Sequence, residues 1–106
     1  MKIILAVIED EDAVPLMNAL NEMGIGATKL ASTGGFLLRG NTTLLIGVDD
    51  DKLQATIDQI GNLCKRRKKL LPHTSAEMPT SVTLPIEIES GGAIIFVLDV
   101  VDFQRL

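Results

Sequence analysis

The chain carries a continuous apolar run near each end: residues 2–8 (KIILAVI) and residues 93–100 (AIIFVLDV). A run of this length without polar alternation reads as a strand covered on both faces, and both runs are bounded by stop signals. Glu9-Asp10 ends the first, and Ser90-Gly91-Gly92 precedes the second. Two central strands are therefore expected, and whatever else the chain forms must cover them.

The sequence supplies two helices for that cover. In EDEDAVPLMNALNEMG, Asp10 or Asp12 can cap a helix and Pro15 fits its first turn. Val14, Met17, Leu20 and Met23 recur at helical spacing, and Gly24 supplies the stop. The acidic residues 9–12 read as first-turn charge favoured by the helix dipole; no histidine lies nearby to make a metal site of them. In the second helix Asp50 or Asp51 is the cap, and Leu53, Ile57, Ile60 and Cys64 keep the apolar spacing. Cys64 is then a core or half-buried residue, with no neighbouring base in sequence to make it a nucleophile. KRRKK at residues 65–69 reads as the solvated end of that helix, with an anion-facing patch as the alternative. Residues 70–79, with Pro72, His73 and Pro79, read as a loop. His73 has no second His or Cys to pair with as a metal ligand.

Two further strands, residues 25–33 and 41–49, flank residues 34–40 and make a hairpin with an enlarged tip. Residues 82–89 (VTLPIEIE) alternate around Pro85, which fits an edge strand paired with the last apolar run. The order is that of a ferredoxin-like βαββαβ sandwich, α+β in class, with one extra C-terminal hairpin strand. One domain spans residues 1–106, with loops at about 34–40 and 68–81. Two helices cover one face of the sheet. The other face needs a partner chain.

Composition narrows the function. The net charge of −4 argues against a nucleic-acid binder, which needs a basic surface. A single cysteine forms no internal disulfide and suits a reducing compartment. The first apolar run is too short for a signal peptide or a membrane span, and a cytoplasmic location is expected. The stretch with most chemistry is residues 27–43, ATKLASTGGFLLRGNTT. Thr28, Ser32, Thr33, Asn41, Thr42 and Thr43 bracket Gly34-Gly35, and Phe36-Leu37-Leu38 follow the pair. Hydroxyls and free main-chain N–H groups suit anionic oxygens, and a Phe beside them suits a base. An acid–base pair for catalysis is missing from the stretch, which offers Thr, Ser, Asn, Lys29 and Arg39.

With GVDDDKL and GGAIIFVLDV before the C-terminal Phe103, this block resembles the PII-like cyclic di-AMP receptor family, of the PstA-like kind, over nearly the whole chain. The resemblance implies a homotrimer whose sheets face the centre, nucleotide sites at the subunit clefts, and signal reception rather than catalysis. It implies no cofactor and no metal beyond the ligand, cyclic di-AMP. The ligand-facing positions it implies are Thr28, Gly35, Phe36, Leu37, Asn41, Gly47 and Phe96. The chain departs from the pattern in three places. Gly24 and Gly26 stand where such proteins carry Asn and Arg, and Arg105 stands where they carry Gln. A missing Arg removes a charge-assisted contact, and Arg105 can supply a cation from the tail instead. The alternatives are a trimer of this kind for another adenine nucleotide, or one that has lost its ligand. The downstream protein is not named by the sequence.

Overall fold

The computed structural model describes residues 1–32, 40–73 and 84–106. Its element order is β1 (Lys2–Glu9), α1 (Asp10–Glu22), β2 (Ala27–Ser32), β3 (Asn41–Val48), a 3-10 turn (Asp50–Lys52), α2 (Leu53–Cys64), β4 (Arg67–His73), β5 (Leu84–Ser90) and β6 (Ala93–Asp99). An antiparallel sheet in the order β2-β3-β1-β6 carries both helices on one face, the α+β ferredoxin-like arrangement expected. The first apolar run is central, as expected. The second is not: β6 lies at the sheet edge, with Phe96, Val97 and Leu98 exposed.

The period of two along each strand decides the core. Ile4, Ala6 and Ile8 of β1 and Leu44, Ile46 and Val48 of β3 point at the helices and are buried. Against them pack Ala13, Leu16 and Leu20 of α1, and Ile60 and Cys64 of α2. The α1 stripe is rotated from the expected one. Val14 is exposed, and Pro15 lies in the second turn of the helix rather than in its first. Glu9, not an aspartate, is the N-terminal cap residue. The C-terminal stop is as expected. Gly24 adopts φ +75°, its N–H donates to the Asn21 carbonyl at 3.0 Å, and the Ile25 N–H donates to the Leu20 carbonyl at 2.9 Å. That pair of bonds is a Schellman motif, closed by the buried Leu20 and Ile25.

The remaining strands differ from expectation. Helix α2 ends at Cys64, so KRRKK is not its last turn; residues 67–73, read partly as that helix end and partly as loop, form β4. β4 pairs with β5 from Arg67↔Ser90 to His73↔Leu84. The expected single extra strand paired with the last run is thus a two-stranded sheet of its own, inserted before β6. Cross-strand charge explains the basic run: Arg66 meets Glu89 at 4.0 Å and Lys68 meets Glu87 at 3.1 Å. Pro72 and Pro85 face each other in the register, tolerable where neither N–H position points at the partner strand. The hairpin stands away from the main sheet, and the radius of gyration is 17.5 Å against the roughly 13 Å of a compact domain this long. Among the described residues no helix is long and apolar enough to cross a membrane.

Candidate functional site

The register sets the described site residues on one face, the sheet face opposite the helices. Thr28 pairs with Leu45, Leu45 with Leu5, and Leu5 with Phe96, which makes one transverse row across four strands. The next row is Gly47, Ile3 and Leu98. Asn41 lies on the same face by parity, as the partner of Glu9. Thr28 and Gly47 are exposed, Asn41 is buried, and Phe96 is 45% exposed. Strands about 4.8 Å apart put Thr28 and Phe96 about 14 Å from each other, at opposite edges of the sheet. The chain therefore aligns these residues without converging them into one pocket. Arg105 is exposed in the extended tail, residues 100–106. Gly35, Phe36 and Leu37 lie outside the described residues, as does most of the 34–40 loop.

The glycines have distinct physical reasons. A Cβ on Gly47 would meet nothing within 4 Å, so nothing in this chain requires glycine there. Gly26 is likewise open and free of positive φ, and it borders a shallow groove lined by Met17, Asn18, Asn21, Ile25 and Ala27. Gly40 is close-packed: a Cβ there would come 2.5 Å from Asp10 Oδ2, and the Asp10 carboxylate would have to shift. The foot of the 34–40 segment is fixed by that same aspartate. Its main-chain N–H donates to the Gly40 carbonyl at 3.0 Å, and its carboxylate accepts from the Thr42 hydroxyl at 2.6 Å. Sequence reading assigned Asp10 only to the helix end. The pairing links residues 32 apart, which local pattern does not reveal.

Charge elsewhere is also paired. The Arg67 guanidinium donates to Asp12 Oδ1 at 2.7 Å and to Glu11 Oε1 at 3.3 Å, and its protonated form is favoured chiefly by the Asp12 hydrogen bond. Lys2 bonds Asp99, which raises the lysine and lowers the aspartate from their ordinary values. Cys64 is buried and its thiol is pushed up to about 11, first by burial and then by the charge of Asp12. An unionised, inaccessible thiol is a packing group, as its helical spacing indicated. No group of three His, Cys, Asp or Glu able to hold a metal occurs among the described residues. Glu9 does bring a carboxylate beside Asn41, which the stretch 27–43 alone did not reveal.

What the structure defines is a small α+β domain with an aromatic, a hydroxyl, an amide and an open glycine on one sheet face. The sequence profile of a family described as the cyclic-di-AMP receptor matches residues 1–106, and the chain belongs to that family. It is also similar to a solved structure described as a functionally unknown protein from Pediococcus pentosaceus ATCC 25745. The two are 32% identical with a TM-score of 0.80, over 99% of this chain and 96% of that one.

Proposed function

We propose that the chain is a cytoplasmic receptor that binds cyclic di-AMP at the clefts between subunits of a homotrimer and relays occupancy to another protein by loop rearrangement. The observation that carries this reading is the single row from Thr28 to Phe96 across one open sheet face. A ligand with two adenines and two phosphodiesters needs an aromatic contact and polar edge contacts together. One chain holds its candidates at opposite edges, and the β6 edge of one copy set against the β2 edge of the next brings them together. Such a contact joins two different surfaces, and copies related by a three-fold rotation would close it as a ring. Exposed Phe96 and Leu98 beside the half-buried Ile3 and Leu5 supply the apolar area that a second copy would cover. Asn41 and main-chain groups near Gly47 would meet the base edges. Residues 34–37 would meet phosphate through main-chain N–H groups, in keeping with an acidic chain.

Gly26 favours one second reading, a trimer of this kind that takes a different adenine nucleotide or none. The position has room for a side chain that is not there. Titration calorimetry with cyclic di-AMP and a panel of adenine nucleotides separates the two. Stacking on an aromatic is worth about 1–3 kcal/mol, so Phe96→Ala is expected to weaken cyclic di-AMP binding by about ten- to a hundredfold. No heat with cyclic di-AMP and clear heat with another adenine nucleotide would establish the second reading.

A further inference from the structure

The first turn of α1 is a junction between two parts of the molecule that do not otherwise adjoin in sequence. On one side Asp10 holds the start of β3, through the Gly40 carbonyl at 3.0 Å and the Thr42 hydroxyl at 2.6 Å. The fit is close, since a Cβ on Gly40 would come 2.5 Å from Asp10 Oδ2 and the carboxylate would have to shift away from its place beside Thr42. On the other side Asp12 and Glu11 hold the root of the β4–β5 hairpin. Arg67 reaches the two Asp12 oxygens at 2.7 and 3.5 Å, Glu11 at 3.3 Å and the Lys65 carbonyl at 3.2 Å. The Ser90 hydroxyl lies 2.5 Å from Glu11 Oε1 and 3.2 Å from Glu9 Oε2; its one proton goes to the nearer oxygen.

Arg67 and Ser90 are register partners, the first residue of β4 and the last of β5. Both ends of the hairpin are thus fastened to residues 9–12. Gly91, at φ +87°, seats the exit strand against the Lys65 carbonyl and Arg67, where no side chain would fit. Asp12 is 6% exposed and Ser90 1%, so the Arg67–Asp12 contact is partly sheltered from solvent and loss of Arg67 leaves a buried carboxylate without its cation. Glu9, at the same junction, is the strand partner of Asn41. Residues 10–12 belong to one helical turn, so a displacement of the main chain at Asp12 carries Asp10 with it.

We propose that residues 9–12 couple the start of β3 to the β4–β5 hairpin, with Arg67 as the positioning residue that sets Gly40, Asn41 and Thr42. A ligand that moves Asn41 then biases the attachment of the hairpin, and the state of the hairpin biases ligand affinity by the same factor. The hairpin, standing apart from the main sheet, becomes the part whose position reports occupancy. The ligand half of this statement rests on the nucleotide reading above; the mechanical half does not.

The test is amide hydrogen exchange on the full chain without ligand, comparing wild type with Arg67→Ala, Arg67→Lys and Lys68→Ala. Lys68 pairs with Glu87 on the same hairpin and serves as the control. Arg67→Ala is expected to speed exchange of the amides of residues 41–43 by about tenfold relative to residues 46–48 of the same strand. Arg67→Lys keeps the charge, loses the fork and falls between; Lys68→Ala leaves the ratio unchanged. Unchanged protection at residues 41–43 in Arg67→Ala, or the same rise in Lys68→Ala, overturns the coupling. Should Arg67→Ala not fold, Arg67→Lys and Ser90→Ala carry the same comparison. Calorimetry with cyclic di-AMP then reads the second half: affinity about tenfold lower in Arg67→Ala supports it. Equal affinity in wild type and Arg67→Ala overturns it. Faster exchange with no heat in wild type leaves the mechanical coupling standing and removes the nucleotide reading.

Discussion

Two glycines two positions apart show how much a residue's meaning depends on its backbone. Gly24 sits at φ +75°, a conformation that Asn tolerates and most residues do not. The Asn that the resemblance sets at this position therefore fits the same helix end, and Gly24 costs the fold nothing. Gly26 has ordinary φ and open space around its Cβ position, so an Arg fits there without strain. A charge-assisted hydrogen bond is worth about 1.5–3 kcal/mol. Gly26→Arg is accordingly expected to tighten cyclic di-AMP binding by about ten- to a hundredfold, read by calorimetry on both proteins. An unchanged affinity would mean that position 26 does not face the ligand. Cys64 gives a prediction of the opposite kind, on stability alone. Its thiol moves from an ordinary 9.0 to about 11 in the fold. Between those values the folded chain keeps a proton that the unfolded chain has lost, so stability falls as pH rises through that window and is unaffected below it. The loss attributable to this group is about 2–3 kcal/mol. Denaturant titrations of wild type and Cys64→Ala at several alkaline pH values should show a steeper decline for wild type, and parallel declines would contradict the buried-thiol account.

At the scale of elements, local signals were legible and long-range partners were not. The first apolar run gave β1 because its neighbours in the sheet, β3 and β6, cover both of its edges. The Gly24 stop was readable because it depends on six consecutive residues and two main-chain bonds. Replacing that glycine by Ala forces a side chain into positive φ, and Gly24→Ala is expected to cost about 1 kcal/mol. For a domain of this length that lowers the melting temperature by about 4–8 °C, which a thermal scan would register; no change would mean the helix end relaxes freely. The hairpin was misread for a different reason. Five basic residues after an apolar helix look like a helix end, yet from Arg67 onward they enter a strand here, with Glu89 paired to Arg66 and Glu87 to Lys68. That information lies some twenty residues away in the chain. Likewise the alternation in residues 82–89 announced a strand without naming its partner, which proved to be β4 rather than β6. The acidic start of α1 gave the helix dipole reading correctly, and its contacts to Thr42, Arg67 and Ser90 were invisible for the same want of long-range information.

At the scale of the whole molecule, the candidate site is legible as a face but not as a pocket. Period-two parity puts Thr28, Gly47 and Phe96 on one side of the sheet, and the two-sided apolar character of the end runs demands cover there. Geometry then adds what the sequence lacked: the second run lies at an edge, with Phe96 and Leu98 on the open face and exposed. Exposed aliphatic and aromatic side chains side by side on an edge strand are stable in isolation only at a solubility cost, and burial against another copy gains about 25 cal/mol for each Å² of apolar surface covered. This separates folding from assembly. Leu98 is 44% exposed within one chain, so Leu98→Glu removes little that a single chain buries. In a ring of copies the same carboxylate would be trapped between subunits without a cation, a cost of several kcal/mol per site. Leu98→Glu is therefore expected to keep the circular dichroism of wild type, to shift the sedimenting species from trimer to monomer, and to lose cyclic di-AMP binding with the cleft. A folded Leu98→Glu that remains trimeric would show that β6 does not form the contact, and a folded monomer that still binds the nucleotide at wild-type affinity would show that one chain holds the site by itself.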